Sequence, residues 1–247
     1  MFGRVVAFVY GLICYILFLF AFLYAIGFVG NIVVPKSIDS GSRAPLVEAL
    51  IVNTLLLSLF AIQHSVMARQ WFKRAWTKIV PEPVERSTYV MLASLVLLLL
   101  FWQWRPMPEV IWDVQNQIGR MVLQALFWIG WAQVFISTVL VDHFALFGMK
   151  QVYRYFKGEP ETATPFKTPA LYKFVRHPLY LGFIIAFWST PRMTLGHLFF
   201  AAVCTAYILV AIQFEERDLT SFYGDTYRLY RKQVSMILPL RRQKKTL

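Results

Sequence analysis

Two short charged stretches sit at the edges of long apolar runs, and their residue types suit a ligand that carries both signs of charge. The first is Arg176-His177-Pro178, with Tyr180 and Gly182 just beyond, opening an apolar stretch at 179–189. Pro178 suits the first position of a helix, where a missing amide hydrogen costs nothing, so His177 falls at or next to the cap. A helix that begins there aims free amides and the positive end of its dipole at one spot, which favours a carboxylate. Arg176 adds a fixed cation. The second stretch, Gln213-Phe214-Glu215-Glu216-Arg217-Asp218, ends the next apolar run and returns two adjacent carboxylates to the same depth. Cations and amides on one side and carboxylates on the other suit a zwitterionic or mixed-charge ligand. The alternative is that Arg176, Glu215 and Glu216 pair with one another, since ion pairs mark structure as often as function.

Other ionisable residues lie at the ends of apolar runs: His64 with Arg69 beyond it, and the pair Asp142-His143. An ionisable residue inside a membrane segment is a functional candidate by default. The competing readings are hydrogen-bonded packing histidines at 64 and 143, and an Asp142 that anchors a nearby Arg or the Lys150 region. Only four histidines, no paired cysteines and no ligand spacing argue against a metal. Cys14 and Cys204 lie within apolar segments and read as packing residues. Asn53, Gln124 and Gln133 read as hydrogen-bonding groups between helices.

The elements that must position these groups are membrane helices. Of 247 residues 58% are hydrophobic, 17% aromatic and 15% charged, whereas a soluble domain has about a quarter charged. We read helices at 5–34, 46–66, 87–104 and 121–141, a short apolar stretch at 179–189 and a full-length one at 194–214. The first is too long for the roughly 7 to 15 apolar residues of a signal peptide and is expected to stay as a helix. The short stretch rises only about 16 Å, about half of a hydrocarbon core, before Thr190-Pro191 breaks it. The fold class expected is an all-α integral membrane protein: five full transmembrane helices plus a half-helix in a C-terminal helical hairpin, with an interfacial amphipathic segment. That segment is Trp71 to Lys78, where aromatics alternate with cations. The division expected is 1–141, helices one to four with the loop 67–86, and 142–247, a loop, the ligand-binding hairpin and a basic tail.

Basic residues are retained on the cytoplasmic side. Arg4; Arg69, Lys73, Arg74, Lys78 and Arg86; Lys150, Arg154, Lys157, Lys167, Lys173 and Arg176; and Arg217, Arg228, Arg231, Lys232, Arg241, Arg242, Lys244 and Lys245 alternate with connections holding only Lys36, Arg43, Arg105, Arg120 and Arg192. Both termini and the loops 67–86 and 142–178 are therefore expected in the cytoplasm. The net charge of +12 is concentrated on that face, where it suits anionic membrane lipids rather than nucleic acid.

The order Arg176-His177-Pro178-x-Tyr180-x-Gly182, a long apolar stretch, Glu215-Glu216-Arg217-x-Leu219, Gly224-x-x-Tyr227-x-x-Tyr230 and Pro239 resembles the C-terminal half of the isoprenylcysteine carboxyl methyltransferase and phospholipid methyltransferase superfamily, over about 171–239. Gln63 to Arg69 and Asp142 to Tyr153 resemble the nurim family, and Val80 to Val90 resembles bacterial methanethiol S-methyltransferases. The superfamily resemblance implies that Arg176, His177, Tyr180, Glu215 and Glu216 line an S-adenosylmethionine site that Tyr227, Tyr230 and Arg231 close from the tail. The narrower one implies a small thiol as acceptor, dimethyl sulfide as product and the bacterial inner membrane as location. The thiol must lose its proton, and free thiols titrate near 8.5 or above, so His64 and Asp142 are expected to help generate the thiolate, with Arg69 supplying positive field. The alternatives are a lipid or prenylcysteine carboxyl methyltransferase, and a non-catalytic nurim-like scaffold. A transporter is a weaker third, since there is no inverted repeat.

Overall fold

The computed structural model describes residues 1–160 and 166–239. Of the basic tail, Arg241, Arg242, Lys244 and Lys245 lie outside the described residues. The order is α1 (Phe2–Gly30), α2 (Leu46–Met67), α3 (Gln70–Trp76), α4 (Glu82–Gln103), β1 (Val110–Asp113), α5 (Gln117–Val141), α6 (His143–Leu146), α7 (Met149–Lys157), a 3-10 turn (Ala170–Lys173), α8 (Pro178–Trp188), β2 (Arg192–Thr194), α9 (Leu195–Tyr223) and α10 (Asp225–Gln233). Helices α1, α2, α4, α5 and α9 are long and apolar enough to cross a membrane, and α8 is a shorter apolar helix. The chain is an all-α integral membrane protein of the expected class, multi-pass, with only one short strand pair among the described residues.

Helix ends depart from expectation where local chemistry overrides hydropathy. α1 stops at Gly30 rather than 34, because Asn31 takes the left-handed conformation at φ 55° and the Ile32 amide closes on the Gly27 carbonyl at 3.0 Å. α4 starts at Glu82 rather than 87: Pro81 caps it, Pro83 is tolerated in the first turn, and Glu82 and Glu85 match the positive dipole end. α5 gains a turn from Asn116, whose Oδ1 accepts the Gly119 amide at 2.9 Å. The largest difference is α9, which runs past 214 to Tyr223 before Gly224 ends it at φ 57°. Glu215 and Glu216 are thus inside a helix rather than after it. Sequence reading gave no strand, yet β1 pairs with β2, and the Val114 amide reaches the Pro191 carbonyl at 2.9 Å.

The chain divides into two units, one holding 1–109, 142–160 and 194–197, the other 110–141, 166–193 and 198–239 of the described residues. In the first, α4 packs on α1, α2 and α7. Gly148, at φ +85°, lies against Ser87 so closely that a Cβ would stand 2.5 Å from its Oγ. Phe72 and Trp76 of α3 pack on Met67, Tyr89 and Val90, while Trp71 is exposed. In the second, α5 packs on α8 through facing glycines: a Cβ on Gly130 would meet the Ala186 nitrogen at 2.6 Å, and one on Gly182 the Gly130 oxygen at 2.8 Å. Small residues allow this approach where lipid supplies no hydrophobic drive.

Candidate active site

In the second unit α8 begins as its sequence dictates, with Pro178 at N1 and His177 at the cap. Gln133 of α5 holds this start, its Nε2 donating to the Pro178 carbonyl at 2.8 Å. The amides just ahead of it are not turned to a ligand. Arg176 N donates to the Ser235 carbonyl at 2.9 Å and His177 N to Met236 at 3.1 Å, so the chain after α10 lies alongside like a parallel strand. Backbone thus takes the two amides that precede the helix, and the side chains of Arg176 and His177 remain to face a ligand.

Those side chains converge on Glu216. Arg176 Nε donates to its Oε1 at 2.7 Å, His177 Nε2 lies 3.2 Å from the same oxygen, and Arg231 Nε is 3.0 Å from Oε2. The Glu216 side chain is 4% exposed and that of Arg176 9%. Arg176 also donates to the carbonyls of Arg231 and Val234. Glu215, one residue earlier, behaves differently: it is 42% exposed and accepts the Tyr180 hydroxyl at 2.8 Å. Tyr227 and Tyr230 pack with Val234 and Phe166, and Tyr230 donates to the Tyr172 carbonyl at 2.6 Å. Burial pushes the Tyr230 hydroxyl up to about 12, with Arg176 opposing and Glu216 adding. Burial, then the nearby carboxylates, raises Tyr172 and Tyr227 well above the usual phenol range. All three stay neutral donors at physiological pH. A cavity of about 1230 Å³ lined by Arg176, Leu181, Ile184, Leu209, Arg231 and Met236 opens in this unit, large against the roughly 300–1,000 Å³ of ordinary ligand sites. The eight residues assigned to the cofactor are therefore gathered in one unit. Tyr172, Phe166 and the 235–237 strip were missed, because nothing in their spacing announces a backbone pairing across the chain.

His64, Arg69 and Asp142 belong to the first unit. His64 stacks on Phe60 and has the Tyr89 hydroxyl 3.0 Å from both ring nitrogens. The Arg86 guanidinium lies 5.0 Å from the Tyr89 ring centroid, and its Nε donates to the Leu146 carbonyl at 2.7 Å. Asp142 caps α6 by accepting the Ala145 amide at 3.0 Å and pairs with Lys150. Burial raises its carboxyl, but Lys150 and the Ala145 amide outweigh that and hold it below the usual range. Arg69 Nε donates to the Ser65 carbonyl at 3.1 Å, and His143 Nε2 lies 2.8 Å from the Tyr15 hydroxyl. His64 and Asp142 thus have different partners. Tyr89 was missed although it lies within the 80–90 segment.

A Mycobacterium tuberculosis protein named methanethiol S-methyltransferase is 58% identical over 236 residues, covering 96% of this chain and 97% of its own. Methanethiol S-methyltransferase 1 of Bradyrhizobium diazoefficiens is 56% identical over 239 residues, 97% of this chain and 84% of its own. The chain belongs to the methanethiol S-methyltransferase family. A nurim homolog of Drosophila pseudoobscura is 31% identical over 193 residues, 74% of this chain and 75% of its own, so the family shares a wider kinship with nurim, as the segments 63–69 and 142–153 suggested. No protein-family profile and no solved structure matches the chain.

Proposed function

We propose that this chain is a membrane enzyme that moves the methyl group of S-adenosylmethionine to methanethiol, releasing dimethyl sulfide and S-adenosylhomocysteine. The observation that carries this reading is near-full-length identity of 58% to a protein of that name. The mixed-charge cluster supports it, since its donor set fits the methyl donor. Arg231, 45% exposed, suits a carboxylate; the open Glu215 with Tyr180 suits an ammonium and ribose hydroxyls. Glu216 is the strut that holds Arg176, just ahead of α8, and Arg231 of α10 in register. When bound, S-adenosylmethionine supplies an electrophilic methyl group on a sulfonium.

For the acceptor, His64 and Asp142 of the first unit are the groups proposed to help generate the thiolate, with Arg69 supplying positive field. Methyl transfer to a thiolate cancels two opposite charges, so a site with little water favours it, and holding the sulfur in line with the methyl group adds to the rate. Both groups of residues belong to the cytoplasmic face of a bacterial inner membrane with both termini inside, a reading that rests on the distribution of basic residues.

Purified protein in detergent, with labelled S-adenosylmethionine and a panel of thiols, lipids and prenylcysteines, is the test. Label in dimethyl sulfide is expected. Label in a lipid or a prenylcysteine ester alone overturns the acceptor, and no binding of S-adenosylmethionine leaves a nurim-like scaffold.

A further inference from the structure

The cavity of about 1230 Å³ in the second unit has walls of two kinds. Leu181 and Ile184 of α8, Leu209 of α9 and the run Met236 to Leu238 form an apolar side. Ile184 lies about 9 Å into α8 from Pro178, so this side reaches from the helix start in among apolar membrane helices. Leu209 and Leu238 are exposed, their surface turned outward rather than packed away. The other side is cationic. Arg228, Arg231 and Lys232 line it from one face of α10, at i, i+3 and i+4, and Arg176 joins them. Among the described residues the lining holds one carboxylate, Asp225. Its pair with Arg228 at 2.9 Å stands mostly in solvent and offsets little of that charge.

Charge opposes the nearer occupants. S-adenosylmethionine bears one carboxylate against an ammonium and a sulfonium and is a net cation, and neither Glu215 nor Tyr180 is among the described residues that line the cavity. The chain's own continuation carries Arg241, Arg242, Lys244 and Lys245, and a second copy would bring the same basic face. An amphiphile with an anionic head satisfies both walls. We propose that the cavity holds an anionic phospholipid of the surrounding bilayer, as a resident lipid and not as a methyl acceptor. Its phosphate lies on Arg228 and Lys232, one turn apart on α10, and an acyl chain runs along Leu181, Ile184 and Leu209. Arg176 and Arg231 stay with Glu216, so the lipid sits beside that strut without displacing it and ties α10 to α8 and α9.

The test is native mass spectrometry of the full chain released from detergent micelles doped with dioleoyl phosphatidylglycerol and dioleoyl phosphatidylcholine, which counts retained lipid and needs neither donor nor turnover. The wild type is expected to retain phosphatidylglycerol in preference to phosphatidylcholine. Arg228→Gln combined with Lys232→Gln should lower phosphatidylglycerol affinity about tenfold or more, the order set by a pair of basic residues at an anionic surface. Leu209→Trp, which fills the apolar side without changing charge, should also lower it, whereas Arg154→Gln with Lys157→Gln on α7 of the first unit should not. Phosphatidylglycerol should raise the melting temperature of the wild type and leave that of the double α10 variant where it was. Equal retention of the two lipids by the wild type overturns the inference, as does an α10 or Leu209 variant that binds like the wild type. An α7 variant that loses as much also overturns it, since general surface charge would then be enough. Displacement of phosphatidylglycerol by soluble glycerol phosphate overturns it in favour of an anion site with no use for the chain. Each of these readouts stands whether or not dimethyl sulfide is formed.

Discussion

The two units treat buried charge in opposite ways. In the second, Glu216 is almost wholly enclosed and three cationic or imidazole side chains meet it, so its charge is matched on both oxygens. In the first, Glu85 is nearly as enclosed, yet one oxygen has no donor among the described residues and the other faces Lys73 only at 4.0 Å. A matched carboxylate ties elements together and is poorly placed to exchange partners. An unmatched one is a standing electrostatic demand. The second unit repeats the contrast on a smaller scale, where Glu216 is a strut and Glu215, one residue away, is 42% exposed, accepts the Tyr180 hydroxyl at 2.8 Å and has His177 Nδ1 only at 3.9 Å.

The sharpest way to break the comparison is to remove the strut. Glu216→Leu leaves Arg176 buried without its carboxylate, and breaking such a pair typically costs about 3–5 kcal/mol. Thermal unfolding in detergent should fall markedly, together with S-adenosylmethionine binding. A variant of unchanged melting temperature would show that the α8 to α10 contacts hold without it. In the first unit, His64→Ala should lower methanethiol turnover by about 10²-fold while donor affinity stays near wild type. Equal losses in both measurements would make His64 a packing residue beside Phe60 and Tyr89.

Glu215→Gln sharpens the contrast between adjacent carboxylates. Losing a hydrogen bond to a charged group is worth about 1.5–3 kcal/mol, so calorimetry should register a loss of donor affinity of about tenfold or more. Its melting temperature should hardly move, unlike that of Glu216→Leu, and parallel changes in the two variants would erase the distinction. The smallest effect is expected at Asp142, whose folded carboxyl lies below its ordinary value. That stability is present above the unfolded value near 3.9 and is lost as pH falls through the folded one. Asp142→Asn keeps the cap oxygen and loses the charge pairing with Lys150, so it should cost at most about 1 kcal/mol at neutral pH. The cost should fade in acid, which melts at both pH values would detect.

The sequence by itself determined the class, the number of full spans, the half-helix and its cap, since each follows from apolar length, from Pro178 and from the break at Thr190-Pro191. The segments 80–90, 63–69 and 142–153 also carried enough to indicate the methanethiol S-methyltransferase family and its kinship with nurim. Helix ends were less legible, because hydropathy does not register that Asn31 turns left-handed or that α9 can carry two carboxylates for another turn and more. What only the tertiary structure decided is which charges are matched. Glu85 and Glu216 are both acidic residues at the edges of apolar helices. The difference between them lies in what other elements bring up: the residues leading into α8 supply Arg176 and His177 and α10 supplies Arg231 to one, while α3 brings Lys73 only to 4.0 Å from the other. Because electrostatic energy depends on distance and burial, and neither is fixed by position along the chain, that distinction is invisible until the helices are packed.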